Sequence, residues 1–353
     1  MKTKAGQPGH KKRSMAATLL LAAAGALLFE WLSIPLAFLF GPMAACLIAA
    51  LFGLRLEPPG QISTAARTVL GVAAGASVTP YAVSQIPQMA ISIALLPIYL
   101  LAIAAVGVPF FRLVCRYDRV TAYYAAMPGG LQDMVIFGQE AGANIRSLSL
   151  IHATRVLILV TLIPWLLVHL FDMSLDNPIG EPASSVPPVE LMIMVAAAII
   201  GWKGGERIGL FGATVLGPLI VTAALSLSDI VHFRPPAEAI LIAQYFIGIG
   251  IGVHYVGITV QEIRRDVLTA TVFVIYLAIL TVVFSGLITR MGIAEPVEAF
   301  LALAPGGQAE MMVLAIVAGA DLSFVVVHHL TRMLLVIFGA PIAGRWLARG
   351  EDH

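Results

Sequence analysis

The chain contains one sequence pattern twice at a fixed spacing, and this duplication constrains the fold more than any other feature. The segment PGGLQDM at positions 128–134 returns as PGGQAEM at positions 305–311, an offset of 177 residues (305 − 128 = 177). Between 128–164 and its counterpart, 12 of 37 positions are identical without a gap. The chain is therefore two repeats of one structural unit. The identical pairs beyond the PGG segment include His152 with His329, Arg155 with Arg332, and Pro164 with Pro341.

The composition indicates a protein that lies in a membrane. Hydrophobic residues make up 59% and charged residues 12% of the 353, whereas a soluble domain carries about 25% charged residues. Apolar stretches of about 20 residues, which are long enough to cross a bilayer, recur along the whole chain. The net charge of +1 gives no basic domain for nucleic acid. Cys46 and Cys115 form no recognisable disulfide or metal pattern.

The N-terminus predicts a first transmembrane helix that is not cleaved. Basic residues at 11–13 precede an apolar stretch, as in a signal peptide. No convincing small-residue cleavage site follows before Glu30, and further apolar stretches do. Six apolar stretches can be marked in each half. They centre near Leu21, Met43, Val72, Leu100, Gly130 and Leu159, and near Val195, Pro218, Gly248, Ile275, Gly307 and Leu335.

The charges of the loops indicate how these stretches cross the membrane. Short cytoplasmic loops carry an excess of Lys and Arg, which places the basic N-terminus inside. If the PGG segments crossed fully, the linker at 172–188, with three acids and no Lys or Arg, would be cytoplasmic against this rule. A PGG segment that enters and leaves on one side removes the conflict. Five crossings then remain per half, and because five is odd, the second repeat is inverted. The alternative is six full crossings per half and parallel repeats, which disregards the loop charges.

We therefore predict an all-α polytopic membrane protein with about ten transmembrane helices in two inverted repeats, each with a re-entrant PGG loop. The predicted divisions are a cytoplasmic N-terminal tail (1–14), a first membrane repeat (15–171), an extracytoplasmic linker (172–188), a second membrane repeat (189–348) and a C-terminal tail (349–353).

The Pro-Gly-Gly segments predict breaks in the helices at membrane depth. Proline removes a backbone donor, and glycine reaches backbone angles closed to other residues. Non-helical backbone inside a membrane is tolerated where it is buried in protein or lines a wet cavity. The released backbone groups and the helix N-terminus that follows suit anions or polar solutes, and two matched breaks indicate a central site. We expect Gly129, Gly130, Gly306 and Gly307 to bind substrate through their backbone. The alternative is that each segment only makes a tight turn.

Two carboxylates occupy equivalent positions three residues beyond these glycines. A carboxylate inside a membrane is costly, so Asp133 and Glu310 are candidates for proton or cation coupling. The structural alternative is that each caps the helix after its loop, because acids favour the first turn. Gln132 and Gln308 are offset by one position between the repeats and are candidates for amide contacts to substrate.

Each repeat also carries a histidine and an arginine three residues apart on its last helix. His152 with Arg155, and His329 with Arg332, therefore lie on one helix face. The arginines are candidates for binding an anionic substrate and the histidines for ion coupling. An arginine keeps its charge and must therefore pair with a carboxylate, a backbone carbonyl or an anionic substrate. The structural alternative is an internal ion pair in each half, Asp133 with Arg155 and Glu310 with Arg332. His328 is adjacent to His329 and must point elsewhere on the helix.

The paired segments resemble the AbrB-type membrane protein family, a bacterial group with the AbrB duplication in each half. The resemblance rests on AMPGGLQDM at 126–134 and LAPGGQAEM at 303–311, and covers roughly 19–347. Members are often labelled as ammonia monooxygenases or as regulators of an alkylation-response gene. A copper site needs several converging ligands, and the eight histidines form no close ligand pair on one helix face. We therefore expect no enzyme, no metal and no cofactor. The regulator label fits only an indirect effect, because no DNA-binding module is recognisable.

The predicted function is alternating-access transport of a small solute across the bacterial inner membrane, with the N-terminus in the cytoplasm. The expected class of solute is a small organic anion. The inverted plan also resembles the glutamate and citrate symporter superfamily, an analogy of architecture that does not fix the substrate. Architectures of this kind are often dimers, so a homodimer is one expected assembly. The alternative from another class is a membrane-bound regulator or sensor that binds a solute without moving it.

Overall fold

The computed structural model describes residues 8–173, 175, 179–210 and 212–348, and within these ranges the chain is helical without a strand. The helices of the first repeat are α1 (Pro8–Trp31), α2 (Ala37–Leu51), α3 (Gly60–Ala76), α4 (Pro80–Ser84), α5 (Ile86–Pro109), α6 (Arg119–Ala126), α7 (Leu131–Glu140) and α8 (Ile145–Leu170). Those of the second are α9 (Pro188–Arg207), α10 (Ala213–Leu227), α11 (Ala237–Val253), α12 (Val260–Glu262), α13 (Leu268–Arg290), α14 (Pro296–Leu303), α15 (Gln308–Val317) and α16 (Leu322–Ala348). Single π-helical turns follow α5 (Phe110–Val114) and precede α13 (Ile263–Val267).

The helices have the lengths and composition of a polytopic membrane protein. Among the described residues, six helices are long and apolar enough to cross a membrane, namely α1, α5, α8, α9, α13 and α16. Shorter apolar helices include α2, α10 and α11. A helix satisfies all its backbone groups within one segment, which is why apolar stretches take this form in lipid. Ten of the twelve predicted stretches are centred on helices, and the other two are centred on the breaks at Gly130 and Gly307.

The chain forms two compact units. Unit 1 comprises Met1–Ala73, Gly180–Thr222 and Phe233–Thr259, and unit 2 comprises Ala74–Ile179, Ala223–His232 and Val260–His353. Each unit takes segments from both repeats, so the unit boundaries do not follow the predicted division at 172–188. Both PGG segments belong to unit 2.

Unit 1 contains two helix pairs that pack through glycine. In the first repeat, Gly25 of α1 lies against Gly41 of α2, and a Cβ on either residue would overlap the backbone of the other. In the second repeat, Gly201 of α9 lies against Gly217 of α10 in the same way. Small residues let helix backbones approach closely where lipid supplies no hydrophobic driving force between helices. These contacts explain why the glycines recur in both repeats.

In unit 1, helices of one repeat also pack on helices of the other, an arrangement that we call helix exchange. Gly71 of α3 lies against the carbonyl oxygen of Val215 in α10, and Gly248 of α11 lies against the carbonyl oxygen of Leu39 in α2. The third helix of each repeat therefore packs on the second helix of the other repeat.

Unit 2 contains α5 and α13, which are equivalent helices of the two repeats and run antiparallel. As residue numbers rise on α5 and the turn after it, those of their partners on α13 and the turn before it fall. The contacts in order are Tyr99 with Thr281, Ala102 with Tyr276, Phe111 with Phe273, and Tyr117 with Asp266.

Candidate functional site

Each PGG segment lies at the tip of a hairpin of two short helices. Hairpin 1 consists of α6, residues 127–130 and α7, and hairpin 2 of α14, residues 304–307 and α15. At the base of hairpin 1, the N–H of Asn144 donates to Oγ1 of Thr121 at 2.8 Å. The equivalent N–H of Asp321 donates to Oε1 of Glu298 at 3.2 Å at the base of hairpin 2. The chain thus returns to the level at which each hairpin began. Helices of 8 and 10 residues are about 12 and 15 Å long, too short to cross a core of about 30 Å singly.

The two hairpins begin at opposite ends of unit 2. Beside the base of hairpin 1, Nε of Arg146 lies 2.7 Å from Oε1 of Glu262, which precedes α13. Beside the base of hairpin 2, the hydroxyl of Ser323 donates to the carbonyl of Ser77, which precedes α5, at 2.6 Å. Because α5 and α13 run antiparallel, their starting points lie at opposite ends of the unit, and so do the two bases.

Each hairpin tip is bound by an arginine at the same position along a long helix of unit 2. Arg155 binds the tip of hairpin 1 and follows the first residue of α8 by ten positions, a rise of about 15 Å. Arg332 binds the tip of hairpin 2 from the same position in α16. This depth is half of a bilayer core of about 30 Å. The charges of Arg155 and Arg332 interact electrostatically, as expected if the two tips approach each other.

The glycines of the tips do not adopt a positive φ, which corrects the expectation that they use backbone angles closed to other residues. In the described chain none of the four tip glycines has a positive φ. Gly130 and Gly307 instead precede α7 and α15 at φ/ψ of −63°/146° and −68°/146°. A Cβ on Gly129 would overlap the side chain of Met134, and one on Gly306 that of Met311. Positive φ occurs in the repeated Ala-Gly-Ala turns after these helices, at Gly142 (88°) and Gly319 (67°).

The two arginines hold the tips by their backbone carbonyls. Nη1 of Arg155 donates to the carbonyl of Met127 at 3.0 Å and Nη2 to that of Gly129 at 2.5 Å. Arg332 donates to the equivalent carbonyls of Ala304 (2.6 Å) and Gly306 (3.2 Å). It has two further contacts, with the Leu303 carbonyl at 3.3 Å and Nδ1 of His329 at 3.1 Å. Backbone carbonyls are one of the three classes of partner expected from the sequence for these arginines. The bound carbonyls therefore point towards α8 and α16. The positive charges of the two arginines lie at the tips.

The repeated histidines also bind hairpin backbone. Nε2 of His152 lies 3.1 Å from the carbonyl of Tyr124, and Nε2 of His329 lies 2.9 Å from the equivalent carbonyl of Leu301. Both rings are fully buried or nearly so. An imidazole nitrogen beside a carbonyl must carry the proton, so each histidine donates from Nε2. Among the described residues, Nδ1 of His152 and Nε of Arg155 have no hydrogen-bond partner.

Tyr99 joins this centre and was not found by sequence reasoning. It is fully buried on α5, and its hydroxyl lies 3.0 Å from the Leu303 carbonyl, which Arg332 also binds. Both arginines interact electrostatically with it. Tyr99 and Tyr276 are equivalent at the offset of 177 (276 − 99 = 177). A tyrosine at the same position of both repeats, within otherwise apolar helices, is the sequence signal that could have identified Tyr99.

The remaining predicted site residues occupy the first turns of α7 and α15. The side chains of Gln132 and Asp133 lie outside the described part of the structure. Nε2 of Gln308 is buried and has no hydrogen-bond partner among the described residues. Glu310 folds back towards the tip, since a Cβ on Gly307 would overlap its Oε2. In the described chain no three His, Cys, Asp or Glu side chains are grouped as a metal site requires.

We expect Gly307→Ala to destabilise the protein more than Gly306→Ala. A Cβ on Gly307 moves a carboxylate away from the N-terminus of α15, whereas one on Gly306 moves only the flexible end of Met311. The expected loss is about 1–3 kcal/mol for Gly307→Ala and less than about 1 kcal/mol for Gly306→Ala. Thermal unfolding of detergent-purified protein measures both. In a Glu310→Ala background the cost of Gly307→Ala should fall, and an unchanged cost would contradict the assigned contact.

Comparisons with known proteins agree on one family. The family model described as "Transition state regulatory protein AbrB" matches residues 38–348. The chain is similar to "Putative regulator AbrB" of Escherichia coli (strain K12), with 25% identity over 324 residues, 89% of this chain and 91% of that protein. It is also similar to "Uncharacterized protein YhjN" of Bacillus subtilis (strain 168), with 25% identity over 248 residues, 64% of this chain and 63% of that protein.

Proposed function

This chain belongs to the AbrB family, and from the geometry of its hairpins we propose that it is a secondary transporter of a small anionic solute. The observation that carries the proposal is the pair of guanidinium groups at the hairpin tips. Arg155 and Arg332 are only 2% and 4% exposed, and their described hydrogen-bond partners are carbonyls and one histidine. A buried charge requires compensation, and an anion between the tips would supply it.

The groups around the tips suit such an anion. The helices α7 and α15 begin at glycines that offer no side-chain cap, so their first N–H groups and the positive ends of their dipoles are directed at the tips. The amide nitrogen of Gln308, which has no hydrogen-bond partner among the described residues, adds a donor in hairpin 2. In this proposal the arginines fix the tips and supply charge, while Gly130, Gly307 and Gln308 supply donors to the solute.

Alternating access follows from the arrangement of the hairpins. They begin at opposite ends of unit 2, which supports inverted repeats with one re-entrant loop from each side of the membrane. The excess of basic residues at the N-terminus supports a cytoplasmic N-terminus in a bacterial inner membrane. Each hairpin would then close the site towards its own side, and opening one at a time would move the solute without any chemical reaction.

The test begins with ligand discovery and ends with transport. Small organic and inorganic anions are screened by thermal shift on detergent-purified protein, where a ligand at 100 times its Kd adds about 2.7 kcal/mol of stability. We expect an anion that stabilises the wild type and stabilises Gln308→Ala less. Arg290→Gln, an exposed change at the far end of α13, is the control and should respond as the wild type does. Exchange of the labelled anion across proteoliposomes then follows. Binding without exchange would contradict the transporter.

A regulator or sensor is the second candidate, favoured because the similar Escherichia coli protein is described as a regulator. A sensor binds its solute from one side, whereas a transporter exposes its site to each side in turn. Single cysteines at Asp118 and Glu295, which are exposed residues immediately before α6 and α14, are labelled from either side of the membrane to distinguish the two. Ligand-dependent changes at both positions support transport, and a change at one position alone supports a sensor.

A further inference from the structure

A third buried histidine in unit 2 is held in a different way from the two repeated ones. His328 is fully buried on α16, and its Nε2 lies 2.9 Å from Oγ of Ser92, a fully buried residue on α5. Its Nδ1 lies 2.8 Å from the carbonyl oxygen of Phe324. The Ser92 hydroxyl also lies 2.8 Å from the carbonyl oxygen of Met89. His328 follows the start of α16 by six positions, about 9 Å along the helix.

These contacts satisfy the histidine in both of its protonation states. When the ring is neutral, Nδ1–H donates to Phe324, and Nε2 accepts the hydroxyl proton of Ser92. When the ring is protonated, Nε2–H donates to the oxygen of Ser92, and the hydroxyl turns to donate to Met89. Only one hydroxyl rotates between the two states. A proton can therefore arrive and leave with no buried polar group losing its partner.

The repeated histidines lack this property. Nδ1 of His329 faces Nη2 of Arg332, which is a donor, so this nitrogen must remain a proton acceptor. His152 has the charge of Arg155 acting on it, and no partner among the described residues would accept a proton placed on its Nδ1. The geometry thus keeps His152 and His329 neutral, although the sequence suggested them as the coupling residues.

The surroundings of His328 connect it to hairpin 2. The helices packed against α16 include α5, α6, α14 and α15. The ionisable residues on these helices and on α16 up to position 340, beyond which the side chains are not described, are Tyr99, Arg119, Tyr123, Tyr124, Glu298, Glu310, His329 and Arg332. His329 interacts electrostatically with His328. Arg332 is one turn further along α16 and Tyr99 two turns beyond Ser92 on α5, and both bind the Leu303 carbonyl.

We propose that His328, with Ser92, is a proton-binding site that couples proton uptake to the state of hairpin 2. A proton on His328 adds a positive charge one helical turn from the arginine that holds this hairpin. That charge weakens the hold of Arg332 on the hairpin and strengthens the attraction for an anion at the tip. The position equivalent to His328 in the first repeat is Ile151 (328 − 177 = 151), so the site belongs to one hairpin only. The coupling rests on the proposed transport function, whereas the protonation itself does not.

Nitrogen-15 NMR of histidine-labelled, detergent-purified protein tests the protonation directly. We expect one buried histidine to change from the neutral to the imidazolium pattern as the pH is lowered through the range in which histidine titrates. His328→Gln should remove that signal. In Ser92→Ala the same change should move to lower pH, because the protonated ring loses its acceptor. His329→Gln is the matched control and should remove a signal that stays neutral. A His328 signal that stays neutral throughout would overturn the proposal.

Proteoliposomes loaded with a pH gradient test the coupling. An anion found in the thermal-shift screen should accumulate in wild type and lose its dependence on the gradient in His328→Gln, while its passive exchange persists. Gradient-driven accumulation that persists in His328→Gln would overturn the coupling role. Failure of wild type to exchange any anion would instead remove the transport function and leave the NMR result standing.

Discussion

Arg332→Lys is expected to lower the free energy of unfolding by about 3 kcal/mol, because it removes several charge-assisted hydrogen bonds from a buried site. Arg332 binds three carbonyls of hairpin 2 and the ring of His329. A lysine keeps the charge but presents a single ammonium, which cannot reach acceptors spread across a planar fork. The carbonyls it leaves are buried, where an unsatisfied acceptor is costly. Thermal unfolding in detergent gives the ranking of the variants.

The first repeat supplies the matched comparison for this prediction. Arg332 has four hydrogen-bond partners, whereas Arg155 has two, the carbonyls of Met127 and Gly129. Arg155→Lys should therefore cost less than Arg332→Lys. Arg290→Lys, an exposed change on α13, should lie within about 0.5 kcal/mol of wild type. If Arg155→Lys proved the more damaging of the two, the hydrogen bonds would not be what stabilises the hairpins.

Gly201→Ala is expected to destabilise unit 1 strongly, whereas Gly204→Ala on the same helix should not. A Cβ on Gly201 would overlap the backbone of Gly217, so α9 and α10 would have to separate. Overpacking of this kind costs about 1–3 kcal/mol, and more where both contacting groups are backbone. A Cβ on Gly204 meets open space, and alanine favours a helix over glycine by about 1 kcal/mol.

The same measurement in the first repeat makes this prediction specific. Gly25→Ala meets the backbone of Gly41 and should behave as Gly201→Ala does. Thermal unfolding and the monodispersity of the detergent-purified protein are the readouts. Equal behaviour of Gly201→Ala and Gly204→Ala would show that the glycine contact does not hold the pair together.

The sequence predicted the elements of this fold well, since membrane helices are specified by long runs of apolar residues. The stretches marked around Leu100 and Ile275 are the centres of α5 and α13. The division of the chain into units could not be predicted in this way. In unit 1, α3 of the first repeat packs on α10 of the second repeat, where Gly71 lies against Val215. Such packing depends on the shapes of the two helix surfaces, which cannot be read from residue types alone.

The candidate site was predicted in part. The sequence identified the PGG tips and the arginines that bind them, because both features occur in each repeat, with Arg155 in the first and Arg332 in the second. Backbone carbonyls were among the expected partners, but the particular carbonyls could not be inferred, because a carbonyl is present at every position of the chain. His328 was missed for a related reason. Its counterpart is Ile151, so a search for repeated polar residues does not detect it.

The exchange of helices in unit 1 has a consequence for how the protein is made and how it arose. The ribosome completes α2 and α3 long before α10 and α11 exist, so the glycine surface around Gly71 has no partner while the first half is inserted. Assembly of this unit must therefore wait for the second half of the polypeptide. By the same reasoning, an ancestor with a single copy of the repeat would have needed a second subunit to supply the missing helices. A fusion of two gene copies would then have joined chains that already depended on each other.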